Sequence, residues 1–181
     1  MLNKISIKIL KKKYFNKKYL SWINDKNNQK FTEVRKIYSL TDLKKYFEDK
    51  KKGKIFGIFY NNTNHIGNIN IKTVSKKKCY VGFLVGEKKF RSKGVASKAV
   101  ELAIRKCFYY YNFELIYSNS DIKNFASVKV LKNNNFLALN KNPNLFEDNK
   151  PSRILQHYLL SKKRYENYRK GFIKKKNVIK N

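Results

Sequence analysis

The run Phe90-Arg91-Ser92-Lys93-Gly94-Val95-Ala96-Ser97 constrains this chain more than any other segment. Upstream, Cys79 to Gly86 reads as a strand. Downstream, Val95 to Tyr111 carries Ala96, Ala99, Val100, Ala103, Cys107 and Tyr111 at spacings of three and four, the stripe of a helix that faces a core. A strand, a short basic loop and a helix together make an anion site. The first-turn N–H groups lack intrahelical partners, the helix dipole is positive there, and Gly94 lets a ligand approach the backbone. Arg91 and Lys93 add formal charge, so the loop predicts a ligand with phosphates. A nucleotide P-loop would need Gly, four residues and then Gly-Lys-Ser/Thr, and a dinucleotide loop would need three glycines. Only Gly94 is present, which excludes both.

The rest of the chain places this loop within an alternation of strands and helices. Leu2 to Leu10 alternates with period two and predicts a first strand. Tyr14 to Asn27 and a segment capped by Ser39 or Thr41, with Leu40, Leu43, Tyr46 and Phe47 on one side, predict two helices. Lys54 to Tyr60 and His65 to Val74 form a hairpin around Asn61-Asn62-Thr63-Asn64. After the long helix come a strand from Glu114 to Asn119, a helix from about Asn124 to Asn133, and strands at Phe136 to Leu139 and Ile154 to Leu160. This order predicts an α+β fold: a mixed, mostly antiparallel sheet of about seven strands flanked by about four helices. Residues 1–161 form one domain, and 162–181 form a basic tail.

Composition narrows the setting. At 181 residues the chain buries a single core. No apolar run approaches ~18 residues, and Met1 to Leu10 lacks the apolar centre of a secretion signal, so a cytoplasmic protein without a membrane span is expected. Cys79 and Cys107 read as small buried hydrophobes in a reducing compartment, with no metal-like spacing. The formal charge of +31 would attract polyanions. Yet only six of the 43 basic residues are Arg, the better reader of bases and phosphates. The abundance of Lys, Asn, Ile, Tyr and Phe matches what an A/T-rich genome writes into any protein. No specific nucleic-acid partner follows from it.

The pattern Arg91-x-x-Gly94-x-Ala96 resembles the pyrophosphate loop of the GNAT acyltransferase superfamily. Asn124-Phe125-Ala126-Ser127, Leu131 and Asn133-Asn134-Asn135-Phe136 fit that superfamily's Asn-x-x-Ser/Ala…Gly-Phe segment in register. His65-Ile66-Gly67-Asn68-Ile69 and Trp22-Ile23-Asn24-Asp25…Phe31-Thr32-Glu33-Val34-Arg35 look like one branch of it, which contains ribosomal-protein N-acetyltransferases and acetyltransferases of nucleotide-linked amino sugars. The similarity spans roughly residues 5–160.

This resemblance implies acetyl-CoA as co-substrate and an amine as acceptor, joined by direct attack in a ternary complex. Its pyrophosphate would lie on Arg91, Ser92, Lys93, Gly94, Val95 and Ala96. Its pantetheine arm would pair with Leu84 and Val85 and bond Asn124, with Gly86 marking a bulge that opens room for the thioester. Asn135 stands where Gly is usual, and Ser92 also replaces a common Gly. The position of a frequent catalytic Tyr is Leu131 here, which leaves Ser127 as the hydroxyl for the departing thiolate. Glu33 is a candidate base, with His65 the other titratable group. Trp22, Phe31, Glu33, Arg35 and His65 would line an acceptor pocket, where an aromatic face and a guanidinium suit a ring and a phosphate. The preferred acceptor is the amino group of a nucleotide-linked amino sugar in surface-glycan biosynthesis. A protein N-terminus, as in the ribosomal-protein enzymes, is the rival substrate. A catalytically silent basic module that binds nucleic acid or ribosomes is the rival outside enzymes. A monomer and a homodimer both fit.

Overall fold

The period-two segments become seven strands of one sheet: β1 (Ile5–Ile9), β2 (Lys54–Tyr60), β3 (Asn64–Ser75), β4 (Lys78–Val85), β5 (Leu115–Asp121), β6 (Leu137–Ala138) and β7 (Leu155–Ser161). They lie in the order β1-β2-β3-β4-β5-β7-β6, and every pairing is antiparallel except β4 with β5. The computed structural model describes residues 1–31, 37–49, 53–143 and 155–178. Glu33 and Arg35 therefore lie outside the described residues, as does Ile154 at the start of the last predicted strand.

Helices cover both faces of this sheet. On one face, α4 (Val95–Arg105) and α5 (Phe125–Asn133) pack Val95, Ala99, Val100, Ala103, Ile104 and Leu131 against Ile66, Ile69, Cys79, Val81 and Ile116. On the other, α1 (Lys17–Asn24) and α3 (Leu40–Glu48) bury Tyr19, Trp22 and Leu43 with Leu10, Phe15, Ile55 and Phe59. The Ser39 hydroxyl and the Asp42 carboxylate cap α3 reciprocally, satisfying two end amides at once.

The flanking helices differ from the pattern in three places, each for a local reason. The first predicted helix breaks at Asp25, whose carboxylate accepts from the Asn27 and Asn28 N–H groups and starts a separate turn, α2 (Lys26–Gln29). The long helix relaxes into a π-helical stretch over Lys106–Tyr110, which keeps Cys107 and Phe108 buried. The predicted tail is helical: α6 (Lys162–Val178) follows β7 directly, with the Ser161 hydroxyl accepting from the Arg164 N–H. Tyr165 is buried against Phe108, with ring centroids 5.5 Å apart, so the start of α6 joins the main core.

Candidate active site

The sheet opens where the one parallel pair among the described residues stops. β4 pairs with β5 over Lys78–Tyr80 and Leu115–Tyr117 and no further, so Val81–Val85 and Ser118–Asp121 diverge. Two side-chain bonds hold the fork. The Ser118 hydroxyl donates to the Val81 carbonyl at 2.9 Å, and the Tyr80 hydroxyl donates to Asn119 Oδ1 at 2.6 Å. Backbone groups alternate sides along a strand, so with Val81 facing β5 the peptide groups of Phe83 and Val85 face the gap too. The N–H of Gly86, one residue on, bonds to Ile66 of β3 instead.

Gly86 is the bulge that the sequence suggests. Its N–H and that of Glu87 both donate to the Ile66 carbonyl, at 3.0 and 3.1 Å, two residues opposite one. Arg91 then clamps the turned strand end: its Nε donates to the Val85 carbonyl at 3.0 Å and its terminal nitrogen to the Gly86 carbonyl at 2.8 Å. The Arg91 N–H is itself bound to Lys88. Of the loop residues expected on a pyrophosphate, Arg91 thus spends its guanidinium on the strand end and orders the loop from behind.

Beyond Arg91 the loop presents its amides. Ser92 (φ 56°) and Gly94 (φ 75°) both take left-handed conformations, which turn the chain into α4. Gly94 is the N-cap residue and supplies no side-chain cap, and the amides of Val95 and Ala96 belong to the first turn of an eleven-residue helix. A Cβ at Gly94 would come no nearer than 3.5 Å to any neighbour, the tip of Leu2, so space over the loop is open. Left-handed Gly, unspent amides and an exposed Lys93 fit a pyrophosphate.

α5 begins on the other side of the fork. Asn124 caps it, its Oδ1 accepting from the Ser127 N–H at 3.1 Å. This bond directs both residues into the first turn, where Ser127 is half-buried. Leu131, at the position of the frequent Tyr, is fully buried in the core and brings no hydroxyl to the cleft.

The expected acceptor residues separate. Trp22 is buried beneath the bulge, with its ring packed onto Gly86 so closely that a Cβ there would overlap it. His65 is 5% exposed and enclosed by Tyr14, Tyr19, Trp22 and Phe59, with ring centroids 5.0 to 6.1 Å away. Its Nε2 hydrogen-bonds Asn68 Oδ1 at 2.9 Å, and burial pushes its pKa below the ordinary value against the opposing pull of Asn68. Both side chains therefore build the wall under α1. Phe31 is partly buried beside the Lys30 ammonium, 5.5 Å from its ring. Sequence reasoning passed over Tyr80 and Asn119, whose bond across the fork joins residues 39 positions apart. Only their places opposite one another on two strands would have suggested it.

Known proteins match this arrangement at two levels. The family model described as the acetyltransferase (GNAT) domain matches residues 10–137. Comparison with curated protein sequences gives no match. Among solved structures, spermidine N-acetyltransferase from Vibrio cholerae, in complex with CoA and spermine, superposes with a TM-score of 0.77 at 14% identity, over 90% of this chain and 98% of the other. The aminoglycoside acetyltransferase AAC(6')-Ib, in complex with coenzyme A, gives 0.77 at 11% identity over 91% and 99%. A GNAT-family acetyltransferase from Bacillus anthracis gives 0.74 at 15% identity over 88% and 96%. The family model spans the forked strands, the left-handed loop and α5 together, and by that match the chain belongs to the GNAT acetyltransferases, enzymes that take acetyl-CoA as co-substrate.

Proposed function

We propose that this protein transfers the acetyl group of acetyl-CoA to a primary amine of a small, neutral or anionic acceptor, with a nucleotide-linked amino sugar of surface-glycan biosynthesis as the preferred class and the cytoplasm as its place of action. The observation that carries the choice is charge. The chain has a formal charge of +31, and three described carboxylates on the elements around the fork are engaged: Glu87 pairs with Lys18 at 3.1 Å, Asp25 with Lys88 at 3.4 Å, and Asp121 accepts from the Lys123 N–H at 2.8 Å. A polycationic acceptor such as spermine or an aminoglycoside would meet repulsion, whereas a nucleotide diphosphate would be drawn in.

The geometry supports a set of roles for these residues. Amides of residues 92–96 receive the pyrophosphate, and the Val85 N–H, turned into the gap, stabilises the charge that develops on the thioester oxygen. Asn124 spends its carbonyl oxygen on the α5 cap and presents its amide hydrogens to the pantetheine arm. Ser127, in the same turn, supplies the proton that the departing thiolate needs. The acceptor amine must lose a proton before or during attack. Glu33 remains the candidate for that role, whereas His65 is walled in.

The test is thermal stability with acetyl-CoA, with ATP as a polyanion control, followed by CoA release on a panel of a UDP-linked amino sugar, spermidine, kanamycin and a ribosomal N-terminal peptide. At ~100 times its dissociation constant acetyl-CoA adds about 2.7 kcal/mol. A shift well beyond that of ATP, lost in Gly94→Glu, with turnover of the amino sugar, is the expected result. Equal shifts with both ligands would reduce the loop to generic phosphate binding. Turnover of spermidine or the peptide alone would replace the acceptor.

A further inference from the structure

We propose that a second binding surface, built where the π-helical stretch at Lys106–Tyr110 meets α6, takes single-stranded nucleic acid without reading its sequence. It lies at the end of the sheet opposite the opening of the fork. β4 and β5 are paired at Lys78–Tyr80 and Leu115–Tyr117, the closed end, and Ser161 of β7 is paired with Leu115 there. Two backbone bonds gather the neighbouring segments at this end. The Lys162 N–H donates to the Glu114 carbonyl at 2.9 Å, and the Glu114 N–H to the Lys77 carbonyl at 2.8 Å. α4 starts at the fork and returns toward β5, so its last turns arrive beside the first turns of α6, with the Tyr109 and Tyr165 ring centroids 6.4 Å apart.

Lysine is abundant throughout the chain, so its presence here decides nothing; tyrosine and arginine are what is local. Among the described residues only three tyrosines are exposed, Tyr110 at 72%, Tyr168 at 49% and Tyr109 at 47%, and all three stand on these two helical segments. So do Arg164 and Arg169, and Arg105 immediately precedes the π-helical stretch, which accounts for three of the four described arginines. Cations are set against the rings: Lys106 lies 5.5 Å from the Tyr110 centroid, Lys162 5.4 Å from that of Tyr109 and Arg169 5.9 Å from that of Tyr165. Tyr168, Lys163 and Arg164 also line an open cleft of about 440 Å³ with Asn135. Arg164 is fixed on its wall, because Nε and a terminal nitrogen both donate to Asn135 at 2.9 Å. Of the carboxylates nearby, Glu114 pairs with Lys77 at 2.6 Å and Glu101 with Lys98 at 2.8 Å, and Glu166 is the one carboxylate of α6 against eight Lys and Arg. Exposed rings among cations suit an unpaired base and its phosphate, since every base has a face that stacks. A duplex hides those faces and would use the cations alone. A bilayer would need an apolar face, and residues 162–171 of α6 carry no aliphatic side chain.

Binding of a fluorescein-labelled oligouridylate of about 16 nucleotides, read by anisotropy with CoA present to fill the fork, tests this in the full chain. Tyr110→Ala with Tyr168→Ala removes two rings and keeps every charge, and is expected to weaken binding at least about tenfold. Tyr110→Phe with Tyr168→Phe restores the rings and should bind within about threefold of wild type. Arg105→Gln with Arg169→Gln should weaken binding and lower the slope of log K against log salt by about 1.4. Lys11→Gln with Lys44→Gln, exposed lysines away from both helical segments, removes the same charge and should lower that slope far less. Acetyl-CoA affinity of the alanine pair should stay within about twofold, because the fork lies at the other end. Unchanged oligonucleotide binding in the alanine pair overturns the proposal. So does an equal loss in the two charge pairs, the mark of spread charge alone, and so does a duplex of the same length bound more tightly than the single strand. An alanine pair that loses phosphatidylserine vesicles and keeps the oligonucleotide would make the surface a membrane contact instead. A matching loss of acetyl-CoA affinity would make the rings structural and overturn it as well.

Discussion

The Trp22 indole rests directly on Gly86, in the space that any Cβ at that position would fill. The first helix thus sits on the bulge whose carbonyl Arg91 clamps, so the core of one face and the loop before α4 meet at Gly86. Gly86→Ala must push the ring away, yet His65 and Tyr19 crowd its other sides, with centroids 5.0 and 6.1 Å off. Overpacking of this kind costs about 1–3 kcal/mol, which in a chain of this size lowers Tm by roughly 4–8 °C near the middle of that range. Acetyl-CoA affinity should fall with it, because the Val85 N–H and Arg91 move with the bulge. Calorimetric melting and ligand titration of the same variant read both effects.

Ser92 holds φ at 56°, two residues before the left-handed Gly94. A residue with a Cβ loses roughly 1–2 kcal/mol in that region, and a Gly there regains part of it against its own greater freedom when unfolded. Ser92→Gly is expected to raise stability by about 0.5–1 kcal/mol, seen as a Tm increase of about 1–4 °C, with acetyl-CoA bound as tightly or more tightly. Ser92→Val, β-branched at positive φ, should lower Tm instead. Equal Tm for all three chains would show that the loop does not hold this conformation.

Features that depend on the backbone and its near neighbours were legible in the sequence. Asn135, which stands where Gly is usual, has φ of 64°, and Gly94, read as the point of close backbone approach, has φ of 75°. Of the two capping candidates Ser39 and Thr41, Ser39 caps α3, and the hairpin turns at residues 61–64 as expected. Features set by partners far along the chain were not. Arg91 looks like a phosphate ligand until the bulge places two carbonyls within its reach. Trp22 looks like a stacking surface until Gly86 is found beneath it. Tyr165 looks like part of a charged tail until the π-helical stretch brings Phe108 against it. The loss of the usual Gly at Asn135 is offset in the same way. Arg164 donates to both its carbonyl and its side chain at 2.9 Å, a fork that no local pattern announces.

Ser127→Ala separates a chemical role from a structural one. The Asn124 cap uses the Ser127 N–H, which alanine keeps, so the helix start should survive with Tm within about 1 °C, a change of under 0.5 kcal/mol. If the hydroxyl supplies the proton to the thiolate, kcat falls by about 10²-fold or more while acetyl-CoA affinity holds. An acceptor series read at several pH values adds a second check, since a thiolate able to leave unprotonated at high pH would narrow the deficit there. Wild-type kcat in Ser127→Ala would place the proton source elsewhere.

His65 makes the fold pH-sensitive in a direction fixed by its surroundings. Burial lowers its pKa most; Asn68 and the Gly67 backbone raise it, the Lys18 ammonium lowers it and Glu87 raises it, with a net fall below the ordinary value. The unfolded ring titrates near about 6.5. Below that pH the unfolded chain takes up a proton that the folded chain refuses, so stability is whole above about pH 6.5 and falls as pH drops toward the lowered folded value. The slope from this one ring is at most about 1.4 kcal/mol per pH unit. Lys18 reinforces it: its ammonium donates to the His65 carbonyl at 2.8 Å while it pairs with Glu87. In His65→Gln the group that titrates is gone, so the difference in Tm between wild type and variant should shift toward the variant steadily from pH 7 to pH 5. A constant difference across that range would mean that the ring titrates alike in the folded and unfolded chains, as it would if its aromatic enclosure were open to water.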